Sequence, residues 1–294
     1  MPTIAILADV HGNVPALEAV LTDLDSVAPD EVLVGGDLVG RGPEGSRVTR
    51  TVRERGWRTI RGNHEEYLLA FRRGDIPPDW HDAEMWAASR WMAAELGQDD
   101  VAYLEGLPEA LSPELAPDVR LVHGTPRSAN EGIGPWTSDE AVERHLGSID
   151  QTVLACAHTH RPLDRRLGSG RVINVGSVGL PFNRDPRAQY VLLRSTGDRL
   201  QVEFRRVPYD RDETRRIYRR SGFLEAGGAT ARLLLQELDE AAPFLVPFLS
   251  WAEAEGRPPL DESVDAFLAV YDPDRQREFF AALSDRRAST VGSD

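Results

Sequence analysis

Five times in the first 160 residues a short apolar run stops at a polar signature, and no other feature constrains the fold of this chain as tightly. Thr3 to Ala8 leads into Asp9-Val10-His11, Glu31 to Gly35 into Gly36-Asp37, and Trp57 to Ile60 into Gly62-Asn63-His64-Glu65. Arg120 to Val122 leads into His123-Gly124, and Thr152 to Ala157 into His158-Thr159-His160. Short, nearly unbroken apolar runs suit strands covered on both faces. Between the first two lies Asn13 to Val27, with Leu17, Val20, Leu21 and Leu24 at helical spacing and with Asn13 and Pro15 placed to start the helix. A second helix is expected from about Glu44 to Arg55. This β-α-β-α-β order predicts a parallel sheet whose carboxyl edge gathers the polar signatures into one crevice.

From Glu65 to about Leu107 the pattern turns helical, with Trp80, Trp86, Trp91 and Met92 on a segment broken by Pro77-Pro78. It reads as a helical insertion beside the site. Later strands are expected at Arg120 to Val122, Thr152 to Ala157, Arg171 to Val175, Gln189 to Leu193 and Leu200 to Val207, the last two as a hairpin about Gly197-Asp198. The expected division is one domain over residues 1–208, with its insertion at about 65–107, and a helical extension over 209–294 that is not clearly a domain of its own. Residues 289–294 are expected to lack fixed structure. In the extension, Phe244, Leu245, Phe248, Leu249 and Trp251 predict packing on the core or on a second copy of the chain, as a lid or a homo-oligomer contact. The arginines between Arg205 and Arg220 are interleaved with Asp210, Asp212 and Glu213, the pattern of a solvated helix face.

A net charge of −14 over 294 residues argues against broad attraction to nucleic acid or to an anionic membrane. No apolar stretch approaches the roughly 20 residues a membrane-spanning helix needs. Cys156 is the only cysteine, which excludes an internal disulfide and suits a cytoplasmic location; a buried, inert thiol is expected there. With no basic leader before the first apolar run, no export signal is expected. His81 and His145 sit in charged helical stretches and are expected at the surface.

The signatures hold two aspartates, one asparagine and five histidines, a ligand set for two adjacent divalent transition-metal ions such as Mn, Fe, Zn or Ni. Asp9/His11 and His158/His160, each at i and i+2, can reach a common ion where a strand gives way to a loop. Two ions about 3.5 to 4 Å apart need a shared ligand, and a carboxylate suits that role. Asp37, set between Gly35-Gly36 and Gly40, Gly42, is the candidate bridge. Other classes fit less well. A metal-stabilised binding module would favour closed, cysteine-rich sites. A serine hydrolase would carry a Gly-x-Ser-x-Gly elbow, and a P-loop nucleotidase its phosphate loop, and neither is present.

Taken in order, Asp9-x-His11, Gly36-Asp37, Gly62-Asn63-His64-Glu65, His123 and Ala157-His158-x-His160 resemble the motifs of the calcineurin-like metallophosphoesterase family, with Ala157 where the family usually has glycine. Asn174-Val175-Gly176-Ser177 is similar to the segment that follows in bacterial members. The resemblance implies a four-layer αββα sandwich of two mixed sheets flanked by helices. It implies a hydrolase of phosphodiesters or phosphomonoesters, nucleotides among them, that acts by direct attack of a metal-bridging hydroxide. By position it assigns Asp9, His11 and His160 to one ion, Asn63, His123 and His158 to the other, Asp37 to both, and His64 to the leaving oxygen. The loop through Arg41 also resembles the branch of protein serine/threonine phosphatases and symmetrical dinucleoside-tetraphosphate hydrolases, which implies an arginine grip on phosphate; Arg61 and Arg127 are lesser candidates for that grip. The partner so implied is a small phosphate ester.

Overall fold

In strand β1 (Thr3–Leu7), Ile4 and Ile6 join one buried cluster while Ala5 and Leu7 join another, so both faces of the strand are covered. The computed structural model of the chain describes residues 2–196 and 199–279. After β1 come helix α1 (Val14–Val27), β2 (Glu31–Val34), α2 (Gly45–Glu54), β3 (Arg58–Thr59), α3 (Asn63–Arg73), α4 (Ala87–Glu95) and α5 (Gln98–Glu105). Then follow β4 (Ala110–Leu111), β5 (Val119–Val122), α6 (Asp139–Leu146), β6 (Val153–Cys156), β7 (Leu163–Leu167), β8 (Gly170–Asn174), β9 (Ala188–Thr196) and β10 (Arg199–Val207). The chain continues as α7 (Arg211–Arg220), α8 (Phe223–Glu240), α9 (Leu245–Glu255) and α10 (Asp261–Leu268).

The strands form two mixed five-stranded sheets, ordered β10-β9-β1-β2-β3 and β4-β5-β6-β8-β7. In the first, β1, β2 and β3 are parallel and β9 and β10 run against them; in the second, β5, β6 and β8 are parallel with β4 and β7 antiparallel at the edges. Ile4, Ile6 and Leu33 of one sheet meet Leu121, Ala155 and Ile173 of the other in a dry inner layer. Val34 and Leu7 face outward to Leu17, Val20 and Val48 of α1 and α2, while Leu154, Cys156 and Val172 face Val142 and Leu146 of α6. Helices, sheet, sheet and helix thus make four layers. Among the described residues no helix is long and apolar enough to cross a membrane.

Asn13 caps α1, its side chain accepting from the Ala16 amide at 3.2 Å. The antiparallel pairing of β9 and β10 is present, while Gly197-Asp198 and residues 289–294 lie outside the described residues. His81 is exposed, but His145 is buried at 6% exposure. The surface expectation for His145 fails because it shares the inner face of α6 with Val142 and Leu146, three residues before it and one after. Cys156 is buried in the outer face of β6, and burial pushes its thiol up to about 12.

The helices after β10 pack on the same chain. Gly227 in α8 lies so close to α4 that a Cβ there would stand 3.1 Å from that of Ala88. Phe244, Phe248 and Trp251 close over Leu233, Val264 and Phe267 in a separate cluster. Their demand for burial is therefore met within the chain. Arg215 and Arg216 of α7 are paired with Asp239 and Glu213, and Arg205 of β10 with Asp23.

Candidate metal centre

Asp9 follows β1, Asp37 follows β2, Asn63 opens α3 just after β3, His123 follows β5, and His158 and His160 follow β6. All lie beyond the carboxyl ends of parallel strands, and the two sheets bring their ends together. Asp9, His11, Asp37, Asn63, His123 and His160 are buried, and His158 and His64 are half-buried at the mouth. Arg61 and Arg127 line a neighbouring polar cleft that borders His123, and each is paired with glutamate: Arg61 with Glu66 and Glu109, Arg127 with Glu131.

The backbone at these positions is bent into a rarely used conformation. Asp9, His11, Asp37, His158 and His160 have φ of 54°, 51°, 54°, 66° and 56°, and Arg41 has 59°. Each left-handed non-glycine residue costs on the order of 1 kcal/mol or more, and such strain collects at functional sites. Hydrogen bonds between loops hold it: the Asp9 amide donates to Gly36 O at 3.1 Å, His11 to Asp37 O at 3.0 Å and Gly12 to Leu38 O at 2.9 Å.

The side chains converge with too many lone pairs. His11 Nδ1 lies 3.1 Å from Val39 O and His160 Nδ1 2.6 Å from Leu180 O, so both rings must carry their proton on Nδ1 to donate to these carbonyls. Their Nε2 atoms, left as acceptors, face each other at 3.1 Å. Burial lowers His11 to about 4 and holds His160 well below its ordinary value, so neither ring gains a second proton at neutral pH. Asp9 Oδ1, 3.9 Å from His160 Nε2, and Asp37 Oδ2, 3.5 Å from His11 Nε2, are buried without a hydrogen-bond donor. The donor atoms of Asp9, His11, Asp37 and His160 all lie within 4.8 Å of one another. Four converging acceptors of this kind fit a divalent transition-metal ion.

Asn63 Oδ1 lies 2.9 Å from His123 Nε2 and 3.0 Å from His158 Nδ1, and Asp37 Oδ2 is 3.3 Å from His123 Nε2. Burial opposes a charge on His123, but Asp37 and Asp9 outweigh it and push the ring up to about 10. His158, without such close carboxylates, is lowered by burial to about 4. In the chain by itself a proton on His123 balances this corner, and a cation would compete with that proton for the same nitrogen. The Asp37 carboxylate stands between the two groups of donors.

Three residues that the sequence reading assigned no role build this arrangement. The buried Glu65 carboxylate accepts from the amides of Asp37 at 2.8 Å, Leu38 at 2.7 Å and Gly62 at 2.7 Å, clasping the Asp37 loop to the start of α3. Gly62 is required there, because a Cβ would strike the Asp37 carboxylate. Asn174 Nδ2 donates to Ala157 O at 2.7 Å and Ile133 O at 3.0 Å, fixing the turn that carries His158. The third is Glu237 of α8, which lies 2.8 Å from Arg41 Nη1 and also accepts from the amides of Phe244 and Leu245. Arg41 in turn donates from Nε to His64 Nε2 at 3.2 Å. It is therefore no exposed loop arginine. Ser177 Oγ and the Gly179 amide both donate to Asp9 O, so this turn supports the Asp9 loop from beneath.

Residues 3–198 match the calcineurin-like phosphoesterase superfamily domain. The chain is 24% identical over 223 residues to an uncharacterised protein of Methanocaldococcus jannaschii, covering 70% of this chain and 88% of that one. It is 32% identical over 142 residues to the symmetrical bis(5'-nucleosyl)-tetraphosphatase of Paracidovorax citrulli, spanning 47% of each, so less than half of that relative is matched. Among solved structures, the metallophosphoesterase of Sphaerobacter thermophilus superposes with a TM-score of 0.66 at 28% identity, over 82% of this chain and 99% of that one.

Proposed function

The chain belongs to the calcineurin-like phosphoesterase superfamily, and from that premise we propose that it hydrolyses soluble phosphate esters at a centre of two divalent metal ions. The observation that carries this reading is the approach of the Nε2 atoms of His11 and His160 to 3.1 Å, beside the unpartnered oxygens of Asp9 and Asp37. We assign Asp9, His11 and His160 to one ion, Asn63, His123 and His158 to the other, and Asp37 to both. When bound, such a pair lowers the pKa of water and offsets charge on phosphate oxygens. The chain's own contribution is to orient ester and leaving group. His64 packs edge-on against His11, with ring centroids 4.9 Å apart, and faces the cavity beside the site; we assign it to the leaving oxygen. Burial outweighs the opposing pull of the Asp37 carboxylate and, with lesser help from His11 and Arg41, holds its pKa well below the ordinary value, so it acts as a neutral hydrogen-bonding ring. Arg41, held by Glu237, is assigned to steady the phosphate. The single buried cysteine supports a reducing compartment such as the cytoplasm.

The test is a metal-reconstituted screen against mono- and bis-aryl phosphates, cyclic nucleotides, dinucleoside polyphosphates and a phosphopeptide, with His64→Gln beside the parent chain. His64→Gln should keep its metal and lose about 10²-fold or more in kcat; full activity in that variant overturns the assignment. A second reading, a dinucleoside tetraphosphate as substrate, is favoured by the partial likeness to the Paracidovorax enzyme. A clear preference for diadenosine tetraphosphate over aryl esters selects it.

A further inference from the structure

Beside His64 the site opens into a cavity of about 430 Å³ that shares Arg41, Asn63, His64 and His158 with the proposed centre. Its outer wall is aromatic. Trp80 and Trp86 stack with ring centroids 3.9 Å apart at 25°, and Phe71 lies nearly parallel to Trp80 at 6.0 Å and 20°. Leu234, Leu245 and Val246 of the C-terminal helices complete the lining, from beyond the residues that match the family. Thus the helical insertion and the C-terminal extension build this cavity together.

Its polar groups are few and largely engaged. Among the lining residues there is no aspartate, glutamate or lysine, and the one arginine, Arg41, is paired with Glu237. Thr230 Oγ1 donates to Met85 O, and the Tyr67 hydroxyl to Asn130 Oδ1. A charged leaving group, or one with hydroxyls and no ring, would lose its water here and find little in exchange. Aromatic walls instead gain by contact with a planar ring, at a face or an edge, and the volume falls in the roughly 300 to 1,000 Å³ range of small-molecule sites.

We infer that this cavity receives the leaving group of the substrate and selects an uncharged aromatic ring, so that the preferred esters are those of aryl alcohols or nucleosides. The inference rests on the phosphoesterase reading above and adds to it the class of substrate. The full chain, loaded with manganese, is assayed with 1-naphthyl phosphate, adenosine 5'-monophosphate and glycerol 3-phosphate. Binding of 1-naphthol and adenosine is followed separately by calorimetry. At least one ring ester should exceed glycerol 3-phosphate in kcat/KM by about tenfold or more, the scale of one lost or gained stacking contact. Trp86→Ala should reduce that preference about tenfold, with the change mainly in KM. Val246→Glu, at a lip position 53% exposed and so tolerant of a charge, should reduce it too and serves if Trp86→Ala fails to fold. Because naphthol is also the better leaving group, preference for its ester identifies an aryl alcohol only where Trp86→Ala reduces it; preference for the nucleotide identifies a nucleoside. Glycerol 3-phosphate turned over as well as both ring esters, or a preference unmoved by both substitutions, overturns the assignment. If no ester is hydrolysed yet the rings bind and Trp86→Ala weakens them, the phosphoesterase reading falls while the ring site stands.

Discussion

Glu237→Gln is the substitution that best separates the C-terminal helices as a scaffold from the C-terminal helices as part of the site. The Glu237 side chain is 1% exposed and lies 2.8 Å from Arg41 Nη1, whose own side chain is 15% exposed. Its other oxygen accepts from the amides of Phe244 at 2.8 Å and Leu245 at 2.9 Å. Glutamine keeps the shape and one carbonyl for those amides, which turns its NH2 toward Arg41 and removes the charge-assisted hydrogen bond outright. A hydrogen bond to a charged group contributes about 1.5 to 3 kcal/mol, and the change costs about that much. With an unfolding entropy of about 2.1 cal/mol/K per residue, that lowers Tm by about 2 to 5 °C. Arg41 would then lose its anchor, and the contact from its Nε to His64 would loosen. The expected kinetic result is a fall of about tenfold in kcat with little change in KM, the mark of an interaction made in the transition state. Urea unfolding and steady-state hydrolysis of p-nitrophenyl phosphate measure the two effects side by side. A variant that is less stable but has the parent kcat would refute the link from Glu237 through Arg41 to His64.

Two further outcomes follow from the same structure. Asn174→Ala removes the donor to Ala157 O and Ile133 O at a buried turn, and should cost about 2 to 3 kcal/mol in urea unfolding. It should also lower metal occupancy, since His158 sits on that turn; unchanged occupancy would show that the turn holds without it. Burial raises Glu95 to about 7, above its ordinary 4.5, so the folded state binds the proton more tightly than the unfolded one. Its contribution is full below about pH 4.5 and is lost as the pH rises through about 7. Glu95→Gln should therefore flatten that part of the stability profile and stabilise the protein at pH 8 by about 1 to 2 kcal/mol, a figure reduced for partial solvent access. A parent-like slope between pH 5 and 7 would refute this.

Local chemistry made much of the architecture legible. Asn13 and Pro15 mark the start of α1, and the apolar runs before Asp9, Asp37, His123 and His158 are strands of the parallel parts of the two sheets. Strand β4 has only two residues, too few to show a period, and β7 reads Leu-Asp-Arg-Arg-Leu because it is a half-buried edge strand. His145 was misplaced because charged neighbours masked its position on an inner helix face. The site divides in the same way. Residues inside local signatures were visible, whereas Glu237 meets Arg41 across 196 positions and no spacing announces it. Glu65 stood within a visible signature, but its clasp on the amides of the Asp37 loop depends on how two loops pack. The left-handed backbone at Asp9, His11, Asp37, His158 and His160 was likewise hidden, since none of these is a glycine and only the packed loops impose it.

Metal content per chain tests the central claim most directly. Protein loaded with manganese, desalted and analysed by inductively coupled plasma mass spectrometry should hold about two ions, as a shared-carboxylate centre requires. Asp37→Ala should hold fewer than one and lose turnover with it, because Asp37 stands between both groups of donors. Two ions retained without Asp37, or none bound by the parent chain, would contradict the account.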